Sequence, residues 1–344
     1  MRVLFTVDPE IPVPPRLYGG IERIVDSLTR ELRSRGYAIG LVANPESTCE
    51  VEEFFPWSKA CSGGWKNGVR NSMALGSAVR KFQPQVIHSF SRLGYLLPLL
   101  PFSLPKVMSY QRYTGGRQIQ IGARLAGKSL VFTGCSEFVA AMGRPWGGDW
   151  RAIHNFTDTN YYQFAPTVEA EAPLLFLSRI ERIKGAHTAI SIAQGTGRRL
   201  VIAGNQVKEG DGPAYWRNEI APHIDGHNVK YVGPVADAQK RELLREAAAL
   251  VVPVEWNEPF GIVFVEALAC GTPVISCPRG ALTEIIEDGL HGFLINSVTD
   301  GVAAVKQLGT ISRRACRARA EQQFSVQVVA SEYENLYRQM ISRN

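Results

Sequence analysis

Apolar positions along this chain fall into two alternating patterns, short continuous runs and longer stretches at helical spacing. Residues 3–7 (VLFTV) form the first run and predict a strand. A loop rich in proline and glycine follows over residues 8–20, and then residues 21–35 place Ile24, Val25, Leu28 and Leu32 on one helical face. Gly36 stops that helix, and residues 38–43 supply a second strand, which completes one βαβ unit. Further strands are predicted at residues 86–89, 106–110 and 129–135, with Ser136 as the N-cap of a short helix.

The second half restarts the alternation. Pro173 precedes a strand over residues 174–179, a helix spans 185–194, and strands follow at 199–203, 230–232, 248–254 and 273–276. Continuous apolar strands alternating with helices predict parallel sheets covered on both faces. The expected fold class is therefore α/β, with two Rossmann-like doubly wound domains facing a central cleft. The polar, weakly periodic stretch 152–172 is read as the linker. The expected domains are residues 1–160 and 161–325. A last helix over 326–343 carries Val329, Tyr333, Leu336, Tyr337 and Met340 on one side, and residues 326–344 are expected to cross back to the first domain.

Candidate chemistry concentrates in residues 251–271, VVPVEWNEPFGIVFVEALACG. The pattern predicts strand, tight loop, helix and helix stop, with Glu258 in the loop and Glu266 inside the helix. A helix N-terminus presents unpaired N–H groups and the positive end of a dipole, which suits an anion. Gly261, lacking a Cβ, lets a ligand approach the backbone. Glu258 read alone is a capping acid. Glu266 lies among Ile262, Val263, Phe264, Val265, Ala267, Leu268 and Ala269, so its carboxylate is expected to be buried and to need a partner. Farther back, LSRIERIKG puts Arg179 at a strand end and Lys184 before the next helix. Ligands of parallel sheets lie beyond the strand carboxyl ends, where two such cations suit a diphosphate.

Charge and cysteine content narrow the classes. Residues 1–160 hold 19 Lys/Arg and 12 Asp/Glu, an excess of +7, while residues 161–344 hold 19 and 20, a balance of −1. A basic first half fits an acidic or phosphorylated acceptor or an anionic membrane, or else merely a solvated surface. No nucleic-acid-binding signature accompanies the charge. No apolar run reaches bilayer length, and the opening residues read as a strand rather than a signal peptide. The six scattered cysteines contain no CxxC pair, which predicts reduced thiols in a cytoplasmic protein and no metal site.

Three segments carry a family resemblance: YGGIERIVDSLTRELRSRGYAIGLVA, LSRIERIKG, and EPFGIVFVEALACGTPVISCPRGALTEIIEDGLHGFLI. With them the chain resembles the retaining glycosyltransferases of family 4, of bacterial type, which have the GT-B fold. The resemblance implies that the first domain holds an acceptor and the second a nucleoside-diphosphate sugar, UDP- or GDP-linked, as co-substrate with no cofactor or metal. It implies that Arg179 and Lys184 bind the diphosphate, that Glu258 contacts the donor sugar, and that Glu266 holds the ribose. Backbone groups of Phe260, Gly261 and Ile262, after Pro259, would face the donor. Gly19, Gly20, Gly204 and Val235 complete the donor set, Val235 beside the base. His88, in VIHSFS at a strand end, matches a position that often faces the donor sugar and joins the catalytic candidates, though such a histidine also serves as a structural hydrogen-bonder. The family's Asn-Gly-Val-Asp linker is replaced by Asn155-Phe156-Thr157-Asp158, which loses the glycine.

The expected reaction retains configuration, with front-face displacement and the departing phosphate helping to deprotonate a hydroxyl of a saccharide, lipid-linked or small-molecule acceptor. The alternatives are a non-catalytic nucleotide-sugar or glycan-binding protein, an epimerase of nucleoside-diphosphate sugars, and a phosphorylase on a related scaffold. The expected site of action is the cytoplasm, including the inner face of the membrane.

Overall fold

The computed structural model describes residues 1–16, 19–113 and 115–343. The chain divides into two compact units, Met1–Phe156 with Val326–Asn344, and Thr157–Ser325.

The first unit is built on seven strands, β1 (Arg2–Thr6), β2 (Ala38–Ala43), β3 (Glu53–Pro56), β4 (Val86–Ser89), β5 (Lys106–Tyr110), β6 (Leu130–Gly134) and β7 (Asp149–Ala152). All pair in parallel, in the order β3-β2-β1-β4-β5-β6-β7. Its crossovers contain α1 (Gly20–Ser34), α2 (Trp65–Phe82), α3 (Leu93–Leu96), α4 (Arg117–Ala126) and α5 (Glu137–Gly143). Ser136 caps α5 as expected, its Oγ accepting from the Val139 N–H at 3.1 Å. The strand order reverses between β1 and β4, and such a switch point leaves a crevice beyond the strand carboxyl ends. Leu75, Ala78 and Phe82 of α2, Leu93 and Leu96 of α3 and Ile119 of α4 pack with Leu4, Ile87, Met108 and Phe132 of the sheet into one core layer.

The second unit repeats the plan with β8 (Leu174–Leu177), β9 (Leu200–Ala203), β10 (Val229–Gly233), β11 (Ala249–Val251), β12 (Val274–Ser276) and β13 (Gly292–Leu294). They are parallel, in the order β10-β9-β8-β11-β12-β13, with the switch point between β8 and β11. Helices α6 (Ala186–Thr196), α7 (Gly212–Tyr215), α8 (Asp237–Glu246), α9 (Ile262–Ala269), α10 (Leu282–Ile285), α11 (Val298–Lys306) and α12 (Arg313–Gln323) lie between and after the strands. Helix α13 (Val326–Ser342) then belongs to the first unit. Arg35 ties it there, donating to Glu334 Oε2 at 2.5 Å and to the Gln327 carbonyl at 2.8 Å.

The boundary between the units, after Phe156, falls within stretch 152–172, and the stretch is packed. Ala152 ends β7, and Ile153, Phe156, Thr157, Thr159 and Tyr162 are all buried. The backbone is irregular there, so helical and strand periodicity vanish, but the side chains still pack.

Candidate functional site

The candidate residues of the second unit gather at its switch point because two loops leave adjacent strands there. One follows β8 and carries Arg179, Lys184 and Gly185. The other follows β11 and carries Glu255 to Gly261. The loops are stitched together by the Glu255 N–H donating to the Ile183 carbonyl at 2.8 Å. Gly185 adopts φ +77°, and a Cβ there would lie 2.1 Å from the Pro253 carbonyl oxygen, so only glycine allows this approach.

This seam brings Lys184 onto Glu258. Lys184 Nζ lies 2.5 Å from Glu258 Oε2, and the Trp256 indole N–H donates to the same oxygen at 2.9 Å. The ammonium also sits 4.6 Å from the Trp256 ring centroid. Both members of the pair are buried, with side chains 11% and 9% exposed. A buried carboxylate keeps its charge only with such partners. The main chain of Glu258 is fixed as well, its carbonyl accepting from Ala281 N–H at 2.8 Å.

Arg179 remains more open, its side chain 43% exposed and its Nη2 3.0 Å from Glu181 Oε2. Gly204, after β9, would place a Cβ 1.9 Å from the Ser178 carbonyl oxygen, so it permits close contact between the ends of β8 and β9. Val235 lies half-buried between β10 and α8.

After Glu258 the chain turns through Pro259 and Phe260 into α9. The Phe260 ring is buried and packs edge-on against Phe324, with centroids 5.8 Å apart, so only its main chain is offered to a ligand. Gly261 holds φ +84°, and no side chain caps the helix, which leaves the first N–H groups of α9, beginning at Ile262, without a side-chain acceptor.

One turn into α9 stands Glu266, 6% exposed. Its Oε1 accepts from the Tyr162 hydroxyl and from Lys240 Nζ, each at 2.6 Å. Burial beside this carboxylate pushes the Tyr162 phenol well up. These are the partners that a lone acid in an apolar helix requires, but neither was foreseen by residue. Lys240 sits on α8 and Tyr162 precedes β8. For Trp256 the sequence offers one signal, its spacing of two from Glu258. Behind the loops, His187 bridges the Tyr215 hydroxyl at 2.9 Å and Glu255 Oε1 at 3.0 Å, and burial lowers its imidazole.

His88 requires a correction. It lies in β4 of the first unit, fully buried, with Nδ1 2.6 Å from the Tyr337 hydroxyl and Nε2 2.6 Å from Ser109 Oγ. Ser109 Oγ in turn lies 2.6 Å from Thr133 Oγ1. Both ring nitrogens are occupied, and burial holds the imidazole well below its ordinary value. His88 is a structural hydrogen-bonder, with no ring atom left for a sugar.

Gly19 and Gly20 also belong to the first unit, where they begin α1 beyond β1. A Cβ on Gly19 would meet Pro15 Cβ at 2.6 Å and Glu22 Oε2 at 2.8 Å. Tyr18 of the YGG motif lies outside the described residues. Nearby, Asp8 has an Oδ1 that is buried without a hydrogen-bond partner. Among the described residues, no group of three or more His, Cys, Asp or Glu is placed to hold a metal ion.

Two family models divide the chain between them. Residues 18–161 match the family described as Glycosyltransferase Family 4, and residues 161–323 match Glycosyl transferases group 1. Among curated proteins, the chain is 34% identical over 125 residues to a D-inositol 3-phosphate glycosyltransferase of Stackebrandtia nassauensis, covering 36% of this chain and 28% of that one. It is 30% identical over 204 residues to a glycogen synthase of Mycobacterium tuberculosis, covering 54% and 47%. The chain thus spans less than half the length of these two relatives. Among solved structures, sucrose-phosphate synthase from Thermosynechococcus elongatus superposes with TM-score 0.79 at 19% identity, over 100% of each chain. AviGT4, a glycosyltransferase of avilamycin A biosynthesis, gives 0.74 at 23% identity over 99% of this chain and 98% of that one. HepE of Anabaena, solved with UDP and glucose, gives 0.75 at 20% identity over 98% and 100%. At these identities the structural likeness speaks for the fold.

Proposed function

Because this chain belongs to the family 4 glycosyltransferases and has their GT-B fold, we propose that it moves a sugar from a nucleoside-diphosphate sugar to an acceptor hydroxyl, with retention of configuration and without a metal. The observation that carries this reading is the presence of two buried carboxylates, each held through one oxygen, around the open start of α9. Glu258 would face the sugar, and Glu266, whose two partners both use Oε1, would offer Oε2 to the ribose hydroxyls. Arg179 and Lys184 would neutralise the diphosphate. The HepE complex with UDP and glucose makes UDP the first nucleotide to test.

In the proposed step the bond from the anomeric carbon to the diphosphate oxygen breaks. The acceptor oxygen bonds to that carbon on the same face, and its proton passes to the departing phosphate. Charge grows on the leaving group, so fixed cations are worth most in the transition state. The acceptor is a saccharide, a small molecule or a lipid-linked sugar at an anionic membrane, the last favoured by the +7 excess of residues 1–160.

Calorimetry with UDP and GDP in the absence of divalent cations tests the reading. One of the two is expected to bind, and Arg179→Ala with Lys184→Ala is expected to weaken it by at least about 100-fold, the loss of two charge-assisted contacts. Tight binding only with added magnesium, or unchanged binding in the double variant, refutes the diphosphate assignment. Donor-dependent transfer then separates an enzyme from a binding protein.

A further inference from the structure

Ten large apolar side chains stand exposed among the described residues, and eight of them lie between residues 65 and 125 of the first unit. They are ordered. Trp65, Val69 and Met73 recur every four residues on α2, at 76%, 52% and 70% exposure. Ile121 and Leu125 do the same on α4, and Phe102 lies between the two helices in sequence, 62% exposed. Spacing of four places such residues on one side of a helix. On α2 that side is opposite the buried Leu75, Ala78 and Phe82. On α4 it is opposite Ile119 and Gly122. Helix α3 packs against both α2 and α4, with Gly122 allowing close approach to Leu93, so the three helices form one layer with one outer face.

The charge on this face is as ordered as its apolar residues. Residues 54–136 contain eleven Lys/Arg and no Asp or Glu. Lys66 and Arg70 flank the α2 stripe, Arg117 and Arg124 flank the α4 pair, and Lys128 follows; all five are exposed. The acids that bound the stretch are engaged, Glu53 by Lys81 at 3.8 Å and Glu137 by Arg144. No helix among the described residues is long and apolar enough to cross a membrane.

We propose that the outer face of α2, α3 and α4 docks the protein onto an anionic lipid surface, with the aliphatic and indole side chains entering the acyl boundary and the surrounding cations meeting lipid phosphates. The combination of apolar stripe and flanking cations is what interfacial binding needs. A second copy of the chain is the wrong partner, because a two-fold contact would set the exposed Lys66, Arg70, Arg117, Arg124 and Lys128 of one copy against those of the other. Nucleic acid would use the cations but gain nothing from exposed Val69, Met73, Ile121 and Leu125. The proposal rests on the reading above for its purpose, bringing the enzyme to a membrane-borne acceptor. It assigns that contact to one face, and its test needs no turnover.

Vesicle flotation of the full chain is the experiment, with roughly 30% phosphatidylglycerol in phosphatidylcholine against phosphatidylcholine alone, at about 0.1 M salt. The wild type is expected to float with the anionic vesicles only. Trp65→Ser, Val69→Ser and Met73→Ser together, and separately Arg117→Glu with Arg124→Glu, are each expected to weaken partitioning by at least about tenfold, since one cation near such a surface is worth about fivefold. Leu290→Ser, on the second unit, is expected to change nothing. Equal or absent flotation on the two vesicle types, unchanged flotation in both variants, or a dimer that the triple variant abolishes would overturn the proposal. Nucleoside-diphosphate binding, measured on the same preparations, reports folding and the donor reading independently: a wild type that binds nucleotide but does not float sinks the docking face alone, and a variant that loses flotation while keeping nucleotide binding supports it.

Discussion

Glu258 and His88 are both buried polar side chains associated with a strand at a topological switch point, one in each unit. Glu258 follows β11, keeps charged company in Lys184 and lies beside glycines that hold the backbone open. His88 lies within β4, keeps neutral company in Tyr337 and Ser109 and is sealed by aromatic rings, with Phe90 at 4.3 Å and Tyr333 at 4.7 Å between centroids. A polar residue near a strand end becomes a site only where the chain leaves room beside it. Where every lone pair and proton is already spent within the fold, the same residue contributes to stability instead.

The largest test of this contrast is Glu258→Gln. It keeps the Trp256 contact but removes the charge opposite Lys184, and kcat for transfer is expected to fall about 10²- to 10³-fold. Nucleotide affinity is expected to move less than about fivefold, because Lys184 stays available to the diphosphate. Normal turnover with weakened nucleotide binding would place Glu258 on the diphosphate instead of the sugar.

His88→Asn should do the converse. It strands the Tyr337 hydroxyl or the Ser109 hydroxyl in the core, at a cost of about 2 kcal/mol and a lowering of Tm by roughly 4–8 °C. Nucleotide affinity should not change. A hundredfold fall in kcat at an unchanged Tm would return His88 to the reacting centre.

The smallest effect concerns the switch point of the first unit. Burial first, then the neighbouring Glu10, push the Asp8 carboxyl up to about 6, against the partial relief of Arg92 and Arg112. A raised acid binds its proton more tightly in the folded chain. Its stabilising contribution is therefore complete below the ordinary value of 3.8 and is lost as pH rises through about 6. The stability of the wild type relative to Asp8→Asn should fall by about 1–2 kcal/mol from pH 4 to 7, with allowance for the partial exposure of the side chain. A flat difference in parallel urea titrations would mean that Asp8 is ionised throughout.

Much of this architecture was legible in the sequence for a specific reason. Strands buried on both faces are unbroken apolar runs, so β2, β4 and β5 were read to the residue and β1 and β6 to within one. Strands β3 and β7 escaped because each is an edge strand, and EFFP and DWRA are too polar and short to stand out. Arg179, Lys184, Glu258 and Glu266 were legible as chemistry, and the need of Glu266 for a partner followed from the apolar helix around it. Its partners did not follow, since Lys240 and Tyr162 are 26 and 104 positions away and only the folded sheet brings them near. Lys184 and Glu258, given separate duties in the reading of the sequence, are one ion pair. The sealing of His88 depends on Tyr337, 249 positions on, which sequence spacing cannot reveal.

That long reach has a consequence for synthesis. The first unit is interrupted in the chain by all of Thr157–Ser325, and its own last helix, α13, supplies the hydroxyls of Tyr333 and Tyr337 to the network around His88. At about 5–20 residues per second, a ribosome needs roughly 10–30 s to make the intervening unit. For that interval the growing first unit must hold an uncovered imidazole and the uncovered side of α1 in water or in the grip of a chaperone. The half made first is therefore completed last, and nascent chains halted at Ser325 should be cut by protease within the first unit while the second unit resists.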